Sequence, residues 1–261
     1  MKIGVFDSGL GGLTVVQAMT KVIKGAEIFY VADTKNAPYG EKTPEQILQY
    51  SRNITQYLID THQIDALILA CNTATSSAIK HLREEYPTLI IIGTEPGIKP
   101  AIENTKTGKV GVLATLATLK GEKYQELANA LSSEKSVELF EQACPGLVEQ
   151  IEKGETHSTK TRELLELWLD PMREKNVDTI VLGCTHYPLV GDMISDVMQC
   201  DVTLIHTGKA IAKHLLLLGS KQGHINEGEL PISIYVTGDI EHKSIENILE
   251  VSPKPQHIKL P

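Results

Sequence analysis

Two cysteines, Cys71 and Cys184, sit in closely matched surroundings. Ile64-Asp65-Ala66-Leu67-Ile68-Leu69-Ala70-Cys71-Asn72-Thr73 aligns without gaps to Val177-Asp178-Thr179-Ile180-Val181-Leu182-Gly183-Cys184-Thr185-His186. An unperturbed thiol has a pKa of about 8.5 and is only a few per cent thiolate at neutral pH, so a basic cysteine needs a neighbour that favours its anion or relays its proton. Each cysteine has a candidate. Asp7, which opens the loop Asp7-Ser8-Gly9-Leu10-Gly11-Gly12, offers a carboxylate to Cys71, and His186 stands two positions beyond Cys184, where an imidazolium would favour the thiolate. Two like groups of this kind can invert a stereocentre reversibly, one removing a proton and the other returning one to the opposite face. Taken singly, a buried cysteine, a loop aspartate or a histidine is more often structural. The matched pair at repeat-equivalent positions carries the reading.

The elements that must hold these groups follow from the apolar pattern. Strand-like runs fall near residues 2–6, 27–31, 65–70, 89–92, 109–113, 136–140, 178–182, 201–205 and 232–236. Between them lie helix-like stretches: Leu13 to Lys21, Ser51 to Thr61 with Ile54, Tyr57 and Leu58, and Thr161 to Trp168 with Leu164, Leu165 and Trp168. This alternation predicts an α/β fold with largely parallel sheets covered on both faces. The opening run Lys2-Ile3-Gly4-Val5-Phe6-Asp7-Ser8 recurs as Lys109-Val110-Gly111-Val112-Leu113-Ala114-Thr115, so the two halves begin alike. Open α/β sheets bind ligands beyond the carboxyl ends of their strands. Both cysteines and both opening loops therefore belong at the ligand-binding edge of their half, and two such halves facing each other would form a cleft with one thiol on each side.

Composition narrows the function classes. The 261 residues carry a formal charge of −8, with a sequence pI near 5.6, which argues against a general grip on nucleic acid. No apolar stretch approaches the roughly 20 residues that span a bilayer, so no membrane partner is expected. The N-terminus runs from Met1 straight into a strand without the features of a secretion signal, and a cytoplasmic protein is expected. Cys71, Cys144, Cys184 and Cys200 include no Cys-x-x-Cys pair, so free thiols are expected and no metal site. Gly9-Leu10-Gly11-Gly12 lacks the Gly-x-Gly-x-x-Gly spacing, and no Walker-type Gly-Lys-Ser/Thr occurs. The loop's N–H groups at the start of the following helix could instead receive a small carboxylate. Asn72, Thr73, Thr115, Thr118 and Thr185 add neutral hydrogen-bonding groups at the same edge, a lining suited to a small dicarboxylic amino acid.

Four segments in order make the chain resemble the glutamate racemase family: Phe6-Asp7-Ser8-Gly9-Leu10-Gly11-Gly12-Leu13-Thr14-Val15, Pro38-Tyr39-Gly40-Glu41-Lys42, Cys71-Asn72-Thr73-Ala74 and Gly183-Cys184-Thr185-His186-Tyr187-Pro188-Leu189. The likeness runs from residue 1 to about 207, with a weaker echo at Val236-Thr237-Gly238-Asp239. It implies interconversion of L- and D-glutamate without PLP, metal or other cofactor, supplying D-glutamate for peptidoglycan. It further implies Cys71 and Cys184 as paired acid and base, Asp7 assisting the first, and His186 with an upstream glutamate assisting the second. Ser8, Pro38, Tyr39, Gly40, Asn72, Thr73, Thr115, Thr118 and Thr185 fall on the family's substrate-binding positions. The implied fold is two facing, pseudo-symmetric α/β domains, 1–95 plus 207–261 and 96–206, with the active site in the interdomain cleft and a homodimeric assembly.

Two positions depart from the family pattern. Many members have proline where this chain has Glu149; counting from Cys144-Pro145 and back from His157 puts the assisting glutamate on Glu152, with Glu149 as the rival. His206 stands where the family often carries aspartate or serine, and reads as a surface or hinge histidine; Cys144 and Cys200 read as structural. Two other functions stay open at this point. One is a related racemase of the same fold acting on aspartate or another small compound such as a hydantoin. The other is a ligand-binding module without turnover.

Overall fold

The structure, a computed structural model, describes residues 1–135, 137–251 and 253–260. The chain divides into two α/β units, Met1–Thr94 with Thr207–Pro261, and Glu95–His206. The first unit opens with β1 (Lys2–Asp7), α1 (Leu13–Thr20), β2 (Glu27–Ala32), a 3-10 turn at Tyr39–Glu41, α2 (Pro44–His62), β3 (Ala66–Leu69), α3 (Asn72–Glu85) and β4 (Ile90–Gly93). The second contains α4 (Ile98–Asn104), β5 (Lys109–Ala114), α5 (Leu116–Leu119), α6 (Glu122–Lys135), β6 (Glu138–Ala143), α7 (Leu147–Glu152), α8 (Thr159–Glu174), β7 (Thr179–Gly183), a 3-10 turn at Tyr187–Val190, α9 (Gly191–Met198) and β8 (Thr203–Ile205). The chain then returns to the first unit as α10 (Gly208–Lys221), β9 (Ile232–Val236), α11 (His242–Leu249) and β10 (Gln256–His257). The strand expected near 136–140 begins on a residue outside those described; β6 starts at Glu138.

The expected α/β class and parallel sheets are borne out. One sheet has the order β10-β9-β2-β1-β3-β4 and the other β6-β5-β7-β8, and every described pair is parallel. The order β2-β1-β3-β4 is the order β6-β5-β7-β8, so the repeat read in the sequence is a repeat of topology. In each sheet the winding reverses between the first and third strands of the repeat, where an open sheet leaves a crevice beyond its carboxyl edge. Asp7 ends β1 and Cys71 follows β3 at one such point; Thr115 follows β5 and Cys184 follows β7 at the other.

The repeat extends to its fastenings. Asp65, just before β3, accepts a hydrogen bond from the Lys2 N–H at 2.7 Å. Its counterpart Asp178, just before β7, accepts from the Thr105 hydroxyl at 2.6 Å and from the N–H groups of Lys106 and Thr107 at 2.7 and 2.9 Å. Each aspartate pins the chain entering the first strand of its unit. Gly4 and Gly111 also correspond. A Cβ at Gly4 would lie 2.9 Å from Ile64 Cδ1 and 3.0 Å from Leu58 Cδ1 of α2, and one at Gly111 would lie 2.8 Å from Met172 Sδ of α8. A helix lies close against the sheet at both places, and a larger residue would push its side chains aside.

Helix α2 starts earlier than its apolar periodicity suggests. The Thr43 side chain accepts from the Gln46 N–H, the Gln46 side chain accepts from the Thr43 N–H, and Pro44 takes the first helical position. This capping box starts the helix one turn before its first core residue, Ile47. Among the described residues, no helix is long and apolar enough to cross a membrane.

Burial would raise the Asp178 carboxyl, but the hydrogen bonds from Thr105, Lys106, Thr107 and Thr179 outweigh it and hold the group below the usual carboxylate range. A depressed folded-state pKa gives stability that is present above the unfolded value, about 3.9, and is lost as pH falls through the folded value. Asp178→Ala is therefore expected to lower the unfolding free energy by about 1–3 kcal/mol at pH 7. In urea titrations the gap to the parent protein should narrow below pH 4; a gap that stays constant into acid would contradict the clamp.

Candidate active site

In the first unit the sequence brings a thiol, a hydroxyl and a carboxylate into one chain of contacts. Cys71 is the N-cap of α3, and its sulfur accepts from the Ala74 N–H at 3.4 Å. The positive end of a helix and a donated N–H both favour negative charge on that sulfur. As a donor, the thiol reaches Ser8 Oγ at 3.9 Å, and the Ser8 hydroxyl reaches Asp7 Oδ1 at 3.5 Å. Asp7 is fully buried and is held by the loop it opens, accepting from Ser8 N–H at 2.8 Å and Gly12 N–H at 2.5 Å. A Cβ on Gly12 would stand 2.6 Å from Asp7 Cβ and 2.9 Å from the Tyr30 hydroxyl, so this close return of the loop requires glycine.

Of the N–H groups at this helix start, that of Gly12 is committed to Asp7, and those of Leu13 and Thr14 donate to Leu10 O and Gly11 O.

Asn72 and Thr73 form the first turn of α3, and both are buried. Asn72 is 5% exposed, and neither its Oδ1 nor its Nδ2 has a partner in the structure. A buried amide with open donor and acceptor capacity costs folding energy that a ligand would recover. Tyr39 is 1% exposed and shares a buried cluster with Cys71. Burial, then the charge and hydrogen bond of Asp33, then Cys71 and Asp7 push its hydroxyl well above the usual phenol range, so it acts as a donor. Its ring points inward to Asp33, leaving the backbone of Pro38-Tyr39-Gly40 as what this stretch can offer a ligand. Asp33, fully buried after β2, was not picked out from the sequence. The logic applied to Asp7, an acid closing a parallel strand, would have found it.

The second unit builds a different relay. Cys184 Sγ lies 3.7 Å from His186 Nδ1, and His186 Nε2 lies 2.6 Å from Glu152 Oε1. His186 is 2% exposed. Burial alone would push the imidazole down, but hydrogen bonds to Cys184 and Glu152, with their charges, outweigh it and hold the ring well above the ordinary histidine range. The ring is then protonated at neutral pH, with Nδ1 donating towards the sulfur and Nε2 to the carboxylate. Glu152, at the end of α7, is the acid against His186; Glu149, one turn earlier, only adds to the burial that raises the Tyr187 hydroxyl.

Thr115 and Thr118 meet at the N-cap of α5, where Thr115 Oγ1 donates to Thr118 Oγ1 at 3.0 Å and accepts from the Thr118 N–H at 3.2 Å. Thr115 lies one residue beyond the paired Ala114 and Gly183, on the edge that carries Cys184, and Thr185 is buried next to that cysteine. Cys144 is buried, its thiol donating to Gln142 O at 3.5 Å, and that burial pushes the thiol up to about 12, so it stays protonated. Cys200 and His206 are exposed.

The family profile of Asp/Glu/Hydantoin racemase matches residues 3–215. A glutamate racemase from Sulfurovum sp. is 66% identical over 249 residues, covering 95% of this chain and 94% of that protein. One from Aliarcobacter butzleri is 62% identical over 250 residues, covering 96% of each. Among solved structures, Escherichia coli glutamate racemase, in complex with L-glutamate and the activator UDP-MurNAc-Ala, superposes with a TM-score of 0.87 at 26% identity, covering 100% of this chain and 98% of that one.

The relay sets a measurable order among the acids. Glu152→Gln is expected to slow iodoacetamide alkylation of Cys184 at pH 7, read by peptide mass spectrometry, about fivefold, the scale of one lost charge-assisted contact. Glu149→Gln should stay within about twofold, and the reverse order would show that Glu152 does not govern the thiol. Because the His186 pKa is raised on folding, its contribution to stability is present below about 6.5 and is lost as pH rises through the folded value. The thermal stability gap between the parent and Glu152→Gln should therefore be wide at pH 6 and should close in alkali.

Proposed function

Since the chain belongs to the Asp/Glu/Hydantoin racemase family, and is thus an isomerase, we propose that it interconverts L- and D-glutamate by direct proton transfer between Cα and two thiols, Cys71 and Cys184. The observation that carries this reading is that each repeat offers a sulfur just beyond its third strand with its own relay: Ser8 and Asp7 for Cys71, His186 and Glu152 for Cys184.

In the proposed reaction one sulfur, as thiolate, takes the Cα proton while the electron pair of the breaking C–H bond moves onto Cα and the adjoining carboxylate. The other, as thiol, gives its proton to the opposite face of Cα. One thiolate is consumed and one is created, so charge balances over the turnover. The protonation states are restored through the relays or by running the reverse reaction. His186 as imidazolium favours negative charge on Cys184, and the α3 N-terminus does the same for Cys71. The open amide of Asn72 can donate to a substrate carboxylate and accept from its ammonium group. Ser8, Thr73, Thr115, Thr118, Thr185 and the backbone of Pro38-Tyr39-Gly40 complete the substrate contacts in this reading. Glutamate as substrate is supported by relatives at 66% and 62% identity that are glutamate racemases. Supply of D-glutamate for peptidoglycan, a cytoplasmic location and a homodimer rest on likeness to the same family.

Circular dichroism of L-glutamate and of D-glutamate, each with purified protein, a chelator and a thiol reductant, should decay to zero ellipticity. Cys71→Ser and Cys184→Ser should each cut the rate by at least about 100-fold, the scale of a lost acid–base group. In D2O each enantiomer should gain deuterium mainly in the product of opposite hand. Early deuteration of the starting enantiomer would mean a single base, and decay with aspartate alone would move the substrate.

A further inference from the structure

Asp33 holds a fully buried carboxylate between two segments far apart in the sequence. Its Oδ2 accepts from the Tyr39 hydroxyl at 2.6 Å, its Oδ1 accepts from the Thr237 hydroxyl at 2.7 Å, and Asn36 Nδ2 donates to the two oxygens at 3.1 and 3.0 Å. These partners are neutral, so the buried charge depends on every one of their donated hydrogen bonds. The Asp33 N–H in turn donates to Asp7 O at 2.9 Å, which joins this acid to the strand end that carries the Cys71 relay.

Thr237 comes from the C-terminal segment, directly after β9, and belongs to the Val236-Thr237-Gly238-Asp239 echo left without a role above. Its N–H donates to Ala32 O at 3.1 Å and its Oγ1 accepts from the Lys35 N–H at 3.1 Å. Gly238 N–H donates to Thr34 Oγ1 at 3.0 Å, and a Cβ on Gly238 would stand 3.0 Å from Lys35 N. The C-terminal segment thus clasps residues 33–36, the approach to Pro38-Tyr39-Gly40.

We propose that Asp33 is a positioning residue for the substrate loop and that Thr237, from the C-terminal segment, acts through it to fix the Tyr39 ring and with it the backbone of Pro38-Tyr39-Gly40. The inference rests on the reading of that loop as substrate-binding. Neither Thr237 nor Asp33 needs to touch the substrate. Their effect is to hold one conformation of a turn that the Tyr39 hydroxyl ties to Asp33, so the consequence falls on KM and leaves the proton-transfer step largely unchanged.

The test uses Thr237→Val, which keeps the shape and deletes the hydroxyl, and Thr237→Ser, which keeps the hydroxyl, each with and without Tyr39→Phe. Thr237→Val should raise KM for both glutamate enantiomers about fivefold, the order of one buried hydrogen bond, with kcat within about twofold and Thr237→Ser close to the parent. With Tyr39→Phe already present, Thr237→Val should add less than about twofold, because the two changes cut one linkage. A full second increase in that background, or no increase in the single variant, would overturn the proposal. Amide hydrogen exchange of the unliganded protein reads the brace without turnover. Thr237→Val should speed exchange in residues 36–42 and leave residues 66–71 unchanged, and equal protection in both segments would refute the brace even if the parent protein did not racemise glutamate. A parent inactive on glutamate whose 36–42 exchange does respond would instead leave the brace intact and count against the substrate reading.

Discussion

In the proposed reaction a thiol must both lose and regain a proton near neutrality, so it cannot simply be buried. Cys144 shows the cost of burial without adequate compensation: its thiol is pushed up to about 12. Cys71 and Cys184 are buried too, yet each is set against polar groups that can carry charge or pass a proton. Parallel α/β sheets supply such places only beyond their carboxyl edges, where the winding reverses and loop N–H groups, helix starts and strand-end acids converge. The sheet order β2-β1-β3-β4, repeated as β6-β5-β7-β8, produces two of them from one pattern.

The two places are alike in topology but not in electrostatics. After Cys71 a regular helix begins at once, so the sulfur itself caps α3 and uses the helix start. After Cys184 the chain makes a 3-10 turn, Tyr187–Val190, with His186 at its N-cap, and no long helix begins at the sulfur. The imidazolium of His186, with Glu152 holding its far nitrogen, supplies the positive charge there. In the pairing of His186 with Glu152 the ring is buried and the carboxylate partly exposed, so loss of Glu152 strands the imidazolium in a low-dielectric site.

How much of this could be read from the sequence depended on whether the signal was local or long-range. The two strand-cysteine units were legible because strands buried on both faces are continuous apolar runs, as in Ala66–Leu69 and Thr179–Gly183. The two-residue β10 is too short to leave a pattern, and the start of α2 rests on the Thr43 capping box, which apolar spacing does not register. His186 was found by its closeness to Cys184, whereas Glu152 lies 34 residues away and required a count along a family pattern. Asp33 has both of its chief partners supplied by the fold: Tyr39 through a loop, and Thr237 from 204 residues away. Neither contact leaves a periodic trace. The loop after β1 cradles a carboxylate of its own, Asp7, through the N–H groups of Ser8 and Gly12, a closure that spacing alone does not reveal.

The inequality of the two relays has a limit set by thermodynamics. Enantiomers of glutamate have equal free energy in an achiral solvent, so the equilibrium constant of the proposed reaction is one, and kcat/KM must be the same in both directions. The transition state reached from either enantiomer is common to both directions, and no arrangement of side chains can favour one overall. Unequal support for Cys71 and Cys184 therefore appears only in how each direction divides between kcat and KM. A helix start and a histidine–glutamate pair hold charge with different strengths and answer differently to pH, so the two ground states need not be equally stabilised. In the proposed reaction the divergence between the two relays can adjust each ground state without altering the balance between the two directions.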